Sequence, residues 1–467
     1  MTAEATPATP LTFYGGAAGA LAPFVLFLAG VGWLALAGAP DEHGFWPVLL
    51  AAQIAGLALA RDRTRYCDTL IAGMSQPIVM LMIMAWLLAG VIGTLMNASG
   101  FVEALVWVAR QLHLTGGGYI VAAYLACCLV STSTGTSFGT ILICGPLIYP
   151  AGGAVGASPA MLAGAILAGA TFGDSISPIS DTTIASSGSQ GADIGGTVRS
   201  RLKYVLPAGL FAAVIFGLFG GAETLATTAH AATSPSARGL PMLAVPILVI
   251  ALLLAGRHLV EGLLIGVAAG LAVGLGAGLI TWSQVMYIDT ANFTAKGLII
   301  DGITRGLGVS VFTIFLIGLV AALKATGLVE RVAGAGTTGG VASATPRSVE
   351  LRIFGAVSAA VLLTTHSVVA ILTVGELASR LGQAVGIRAY RRANLLDMTV
   401  CTYPFLLPYF IPPILASSAT SGGHDFGMPR ISPFDAGMHN AYSWALLAIV
   451  AVAIVTGYGR TTDRGPD

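Results

Sequence analysis

The sequence predicts an all-α polytopic membrane protein made of two similar halves, each with interrupted helices. Three observations carry that expectation. Charge is scarce: 55% of the 467 residues are hydrophobic and only 9% are charged, where soluble domains carry roughly 25% charged residues. Apolar runs long enough to cross a bilayer recur along the chain. Two short polar segments, residues 131–137 and 172–187, interrupt those runs with hydroxyls, a proline and carboxylates. The net charge of +1 points away from nucleic acid as a partner.

The runs predict spans near 15–38, 44–60, 76–96, 119–131, 139–155, 160–172, 204–221, 241–256, 259–280, 307–324, 351–373, 401–418 and 441–458. Several are short or broken, so about ten full spans and two re-entrant or discontinuous elements are expected. The first basic residue is Arg61, so the stretch before it lacks the basic n-region of a signal peptide and reads as a span. Basic residues gather at Arg61, Arg63 and Arg65, between Arg199 and Lys203, between Arg380 and Arg392, and at Arg460 and Arg464. The positive-inside rule reads these as cytoplasmic loops, which puts the N-terminus in the cytoplasm as well. Gly262, Gly266, Gly270, Gly274 and Gly278 recur every four residues, a small stripe for helix packing rather than a nucleotide loop. The five cysteines show no C-x-x-C spacing and read as small buried side chains.

Residues 221–239, rich in Ala, Thr and Ser, divide the chain into halves at 1–220 and 240–467. Each half has a related signature after a span: Ala98-Ser-Gly-Phe-Val-Glu103 and Ala325-Thr-Gly-Leu-Val-Glu330. Beyond each lies an amphipathic stretch, then an apolar segment interrupted by hydroxyls at 131–137 or at 364–367. Internal repeats with broken helices in corresponding places point to a secondary transporter with its site at the repeat interface.

Six hydroxyls around Gly135 in residues 131–137 disfavour a continuous helix, because Ser and Thr compete for backbone hydrogen bonds. A break frees carbonyls that, with the hydroxyls, suit a hard cation; the structural alternative is hydroxyls bonded back to their own helix. Asp174 and Asp181 are seven residues apart, one face of an unbroken helix. Pro178 argues for an unwound stretch with both carboxylates near one cavity. Burial favours the protonated carboxyl and a bound cation the ionised one, so one Asp can hold either H⁺ or Na⁺. In the second half, His366 interrupts an apolar span, and Asp397 precedes Thr399, Thr402 and a proline-rich run that must bend its helix. His366 has a structural alternative, a bond to a backbone carbonyl. Glu103, Glu330 and Glu376 read as interfacial, and His424 and Asp425 as exposed. No Ser-His-Asp order, HExxH or zinc-like cluster stands out, so an enzyme is the weaker class and no cofactor is expected.

At these residues the chain resembles the NhaC-type sodium/proton antiporter family of the ion-transporter superfamily. The resemblance rests on Ser133-Thr-Gly-Thr-Ser-Phe-Gly-Thr140 and Gly173-Asp-Ser-Ile-Ser-Pro-Ile-Ser-Asp-Thr-Thr183, with weaker similarity through Glu376 and from Arg392 to Pro408. It implies two inverted repeats, each with a re-entrant hairpin and a broken helix, and an elevator-type transport domain. It implies polar site positions at Ser133, Thr134, Thr136 and Ser137 in the first hairpin. In the following broken helix they fall at Asp174, Ser177, Ser180, Asp181 and Thr182, with Asp174 and Asp181 as Na⁺ ligands. Asp397 is the second-half counterpart, and His366 stands where the family carries a more polar stretch. The implied function is Na⁺/H⁺ antiport in a cell inner membrane, with no cofactor beyond the transported ions. The implied partners are small ions or a small solute, the lipid bilayer and, at most, a second copy in a homodimer. The alternative is a Na⁺- or H⁺-coupled carrier of a small organic anion or amino acid, suggested by the weakly polar segment around His366.

Overall fold

The computed structural model describes residues 10–37, 42–221, 235–329, 331 and 345–462. Most of the 221–239 linker, Glu330 and Arg464 lie outside them. The first half comprises α1 (Gly16–Leu36), α2 (Glu42–Leu59), α3 (Arg63–Met74), α4 (Pro77–Ala98), α5 (Phe101–Gln111), α6 (Gly116–Thr134), α7 (Ser137–Ile148), α8 (Pro159–Ile176), α9 (Asp181–Gln190) and α10 (Ile194–Phe219). The second comprises α11 (Ala244–Leu254), α12 (Leu259–Gly276), α13 (Trp282–Val285), α14 (Leu298–Lys324), α15 (Pro346–Thr364), α16 (Ser367–Ala384), α17 (Ala389–Val400), α18 (Ile411–Ala419), α19 (Pro433–Met438) and α20 (Ala441–Thr456).

Among the described residues, seven helical segments are long and apolar enough to cross a membrane, the broken segment Pro159–Gln190 included. The chain is a multi-pass membrane protein. The expected ten or so full spans exceed this number because several apolar runs do not form one long helix. The run 351–373 is cut at Thr365 and His366, between α15 and α16. The run 401–418 is non-α-helical up to Phe410, with only α18 following. Pro404 and Pro408 remove backbone donors there and disfavour helix at the residues before them. An antiparallel hairpin of β1 (Tyr287–Asp289) and β2 (Thr294–Lys296) was outside the all-α expectation. Beside it, Lys296 and Asn292 hold the Asp289 carboxyl below the usual carboxylate range.

The related signatures have related geometry. Each ends a long helix, α4 or α14, with a hydroxyl that donates back three residues, Ser99 to Met96 O at 2.7 Å and Thr326 to Leu323 O at 2.6 Å. Each continues with a left-handed glycine, Gly100 at φ 77° and Gly327 at φ 68°. Two long helices of the halves, α4 and α14, pack directly on each other. They do so through glycine: a methyl at Gly90 would overlap the Gly302 carbonyl, and one at Gly306 would sit 2.8 Å from Trp86 O. Close backbone approach of this kind is how apolar helices associate in lipid, where hydrophobicity supplies no mutual attraction. α2 is tied to α14 by Trp46 Nε1 donating to Gly308 O at 3.1 Å and Gln53 Nε2 to Phe315 O at 2.9 Å. The glycine stripe behaves as packing over Gly262, Gly266, Gly270 and Gly274, which are buried in α12. Gly278 lies past the helix at φ 61°, where a side chain would meet nothing.

The basic clusters correct the loop assignment. Arg201, Arg391 and Arg392 are buried inside α10 and α17. Arg391 forms a bidentate pair with Glu350, at 2.8 and 3.0 Å, and Arg460 donates to the same carboxylate at 2.9 Å. Arg392 reaches Gln190 Oε1 at 2.9 Å. These cations sit inside because each has oxygen partners there, and a positive-inside count cannot distinguish them from loop residues. Glu350 is fully buried, so neutralising it leaves two guanidiniums without their shared carboxylate. Glu350→Gln is expected to lower stability by about 3–5 kcal/mol, read as a fall in Tm of the detergent-purified protein. An unchanged Tm would mean that the pairs contribute nothing net.

Candidate functional site

The two hydroxyl-bearing interruptions are built alike. α6 ends at Gly135 (φ 67°, ψ 21°), Thr136 turns extended (φ −139°, ψ 116°), and α7 begins at Ser137. In the second half α15 ends at Thr365 (φ 53°, ψ 16°), His366 turns extended (φ −137°, ψ 118°), and α16 begins at Ser367. Gly135 and Thr365 hold the same left-handed position. Glycine adopts it freely, while a β-branched residue is strained there by about 1–2 kcal/mol. Glycine also loses more backbone entropy on folding. Thr365→Gly is therefore expected to leave the thermal midpoint unchanged or raise it by a few degrees. A large fall would assign Thr365 a packing role that outweighs its strain.

α8 and α9 are separated by residues 177–180 because Pro178 ends the helix and pushes Ser177 into extended backbone (φ −75°, ψ 127°). The break leaves Asp174 on the last turn of α8 and Asp181 on the first turn of α9. Ser137 donates to Asp174 Oδ2 at 2.9 Å and Ser180 to Oδ1 at 2.6 Å, with Thr182 3.0 Å from Ser180. The hairpin break of α6 and α7 is thus bonded to the carboxylate of the next element, and Gly135 packs against Ile179 in the second break.

All of this surrounds a cavity of about 300 Å³. Thr136, Ser137, Asp174, Asp181, Thr182 and His366 line it, together with Thr365 and Ser367 from the second interruption. Asp181 keeps solvent-accessible surface although protein surrounds it, because it faces this cavity. Asp174 is 5% exposed. The His366 Nδ1 has no hydrogen-bond partner, so that nitrogen does not make the backbone bond weighed from sequence. The rest of the wall is apolar, from Leu81, Met82, Trp86, Phe138, Val368 and Pro412 among others. The N-terminal ends of α7, α9, α16 and α18 all reach it.

Other sequence candidates lie outside the cavity wall. Thr134 donates to its own helix at Val130 O, 2.9 Å away, the structural alternative for that hydroxyl. Ser133 and Ser177 do not line the cavity, and Ser180 reaches it through Asp174 and Thr182. Asp397 is fully buried behind the cavity and paired with Arg201 at 2.6 Å. Glu376, His424 and Asp425 are exposed. Glu103 is half-buried. Among the described residues no three His, Cys, Asp or Glu side chains converge as a metal-binding group.

Arg201, Thr183, Ser186 and Asn394 were missed from sequence. Arg201 Nε donates to Asn394 Oδ1 at 2.9 Å, and Ser186 donates to Asp397 Oδ2 at 3.0 Å. The available signal was Asn394 and Asp397 three residues apart on one helix face, which marks a polar side turned into an apolar protein.

Comparison with known proteins places these features in context. Residues 48–221 match the model of the Na⁺/H⁺ antiporter family. The Na⁺/H⁺ antiporter NhaC of Alkalihalophilus pseudofirmus is 28% identical over 300 residues, covering 61% of this chain and 63% of that protein. The malate-2H⁺/Na⁺-lactate antiporter of Bacillus subtilis is 30% identical over 169 residues, 36% of each chain. The chain thus spans less than two thirds of the length of these relatives. Among solved structures, Neisseria gonorrhoeae MtrF, described within a class of antimetabolite efflux pumps, aligns over 84% of this chain and 83% of its own, with 11% identity and a TM-score of 0.35.

Proposed function

We propose that this chain, whose residues 48–221 match the Na⁺/H⁺ antiporter family, is a secondary transporter exchanging Na⁺ for H⁺ at the cavity between its halves. The observation that carries the reading is one cavity holding Asp174 and Asp181 and bounded by the interruptions of both halves. The two carboxylates would alternate between protons and Na⁺. Ser137, Thr136 and Thr182 would supply neutral oxygens of the kind a hard cation takes. Residues 1–220 and 240–467 would be inverted repeats. The packing supports this reciprocally: α7 lies on α18, and its counterpart α16 lies on α9, the counterpart of α18. An elevator-like movement of these elements against a scaffold containing α4 and α14 would alternate access. The exposed Arg61, Arg63 and Arg380 favour a cytoplasmic N-terminus in an inner membrane.

A second reading has its own support. The cavity is much larger than an ion, at the lower end of the range for small-molecule sites. Four helix N-termini present their positive ends to it, a field that favours an anionic group. A small organic carboxylate could therefore accompany or replace the cation. The test is proton movement in everted vesicles holding a pH gradient. Collapse on adding Na⁺ or Li⁺ but not choline supports cation antiport. Collapse only when malate, lactate or an amino acid is also supplied selects the solute carrier.

A further inference from the structure

Four oxygen atoms of different chemistry converge on one buried guanidinium. Arg201 donates to the Ser175 carbonyl at 2.7 Å, to Thr183 Oγ1 at 3.1 Å and to Asn394 Oδ1 at 2.9 Å, and it pairs with Asp397 Oδ2 at 2.6 Å. The side chain is fully buried. The Ser175 carbonyl belongs to the last turn of α8, where carbonyls lack intrahelical partners. A carboxylate, an amide oxygen, a hydroxyl and a carbonyl freed at a helix break form the donor set that a Na⁺ ion takes. Asp397 stands in the second half as Asp174 stands in the first, on the helix following a hairpin interruption. Yet Asp397 is turned away from the cavity and its charge is already balanced.

We propose that Arg201 is a tethered cation filling a second Na⁺ site at Asp397, so that only the Asp174 and Asp181 site exchanges ions. This rests on the cation reading of the cavity. It explains why a buried guanidinium with four oxygen partners lies directly behind the ion site. It also predicts a latent site: shortening the side chain leaves the cage and its carboxylate without their cation. A purely structural ion pair would lose stability on the same change but would gain no ion.

The test is equilibrium ²²Na⁺ binding to the purified full-length protein, counted per chain, for wild type, Arg201→Ala, Arg201→Lys and Arg201→Ala combined with Asp397→Asn. The expected difference between Arg201→Ala and wild type is one additional ion. It is expected to be absent in the Lys variant and to vanish in the double variant. No difference overturns the inference, as does a difference that survives Asp397→Asn. The wild-type count judges the parent reading separately, since no bound Na⁺ there contradicts cation exchange whatever the variants do. Should Arg201→Ala survive purification poorly, extraction in NaCl is expected to recover several-fold more monodisperse protein than extraction in choline chloride. Equal recovery overturns the latent site.

Discussion

Asp181→Asn and Asp174→Asn are each expected to bring Na⁺-dependent proton exchange to background while leaving a folded, monodisperse protein. The amide keeps the shape of the carboxylate but can neither carry a proton between the two sides nor neutralise a cation. A loss of about two orders of magnitude is expected, roughly 2.8 kcal/mol at 1.4 kcal/mol per decade. The two variants differ in a second respect. Asp174 accepts from Ser137 and Ser180, so its replacement also loosens the bond between the two interruptions. Asp181 has no comparable side-chain anchor and faces the cavity. Asp174→Asn is therefore expected to lower the thermal midpoint, and Asp181→Asn to leave it close to wild type. Reconstituted variants assayed for exchange and melted in detergent give both readouts. Wild-type exchange in Asp181→Asn would remove it from the site.

The second large effect is on the shape of the cavity. Gly135→Val is expected to destabilise the protein by about 2–5 kcal/mol and to abolish transport. Two costs add. Valine is strained at φ 67°. Its Cβ would also lie 2.7 Å from Ile179 Cγ1 and 3.0 Å from the Ile179 backbone. That backbone is the unwound link between Asp174 and Asp181, so relief of the clash must move the carboxylates. The comparison with Thr365→Gly separates the causes, because Thr365 shares the left-handed backbone of Gly135. A Gly135→Val protein as stable and as active as wild type would show that the interruption tolerates displacement.

What the sequence made legible follows from which residues act locally. Gly135 and Pro178 impose their breaks on the chain around them, so both interruptions of the first half could be read from residue type. The break at Thr365 carries no glycine, and only the hydroxyls and His366 hinted at it. The unwinding of residues 401–410 read as a bend, because prolines announce that a helix is disturbed but not over what length. The site beyond the cavity was hidden for a different reason. Arg201 flanks an apolar run exactly as a loop arginine does. Its partners Asn394 and Asp397 come from the other half of the chain, and only tertiary packing brings them together. Positive charge in a membrane sequence marks the cytoplasmic side only where the interior offers no oxygen cage to hold it.

The most direct measurement is the release of protons when Na⁺ binds. Purified protein in weakly buffered detergent is titrated with NaCl, with choline chloride as the control, and the pH change is recorded for wild type and for Asp174→Asn combined with Asp181→Asn. Competition of H⁺ and Na⁺ at these carboxylates predicts acidification in wild type that saturates with Na⁺ and is absent in the double variant. Equal acidification in the two proteins would contradict the account, because the exchanged protons would then reside elsewhere.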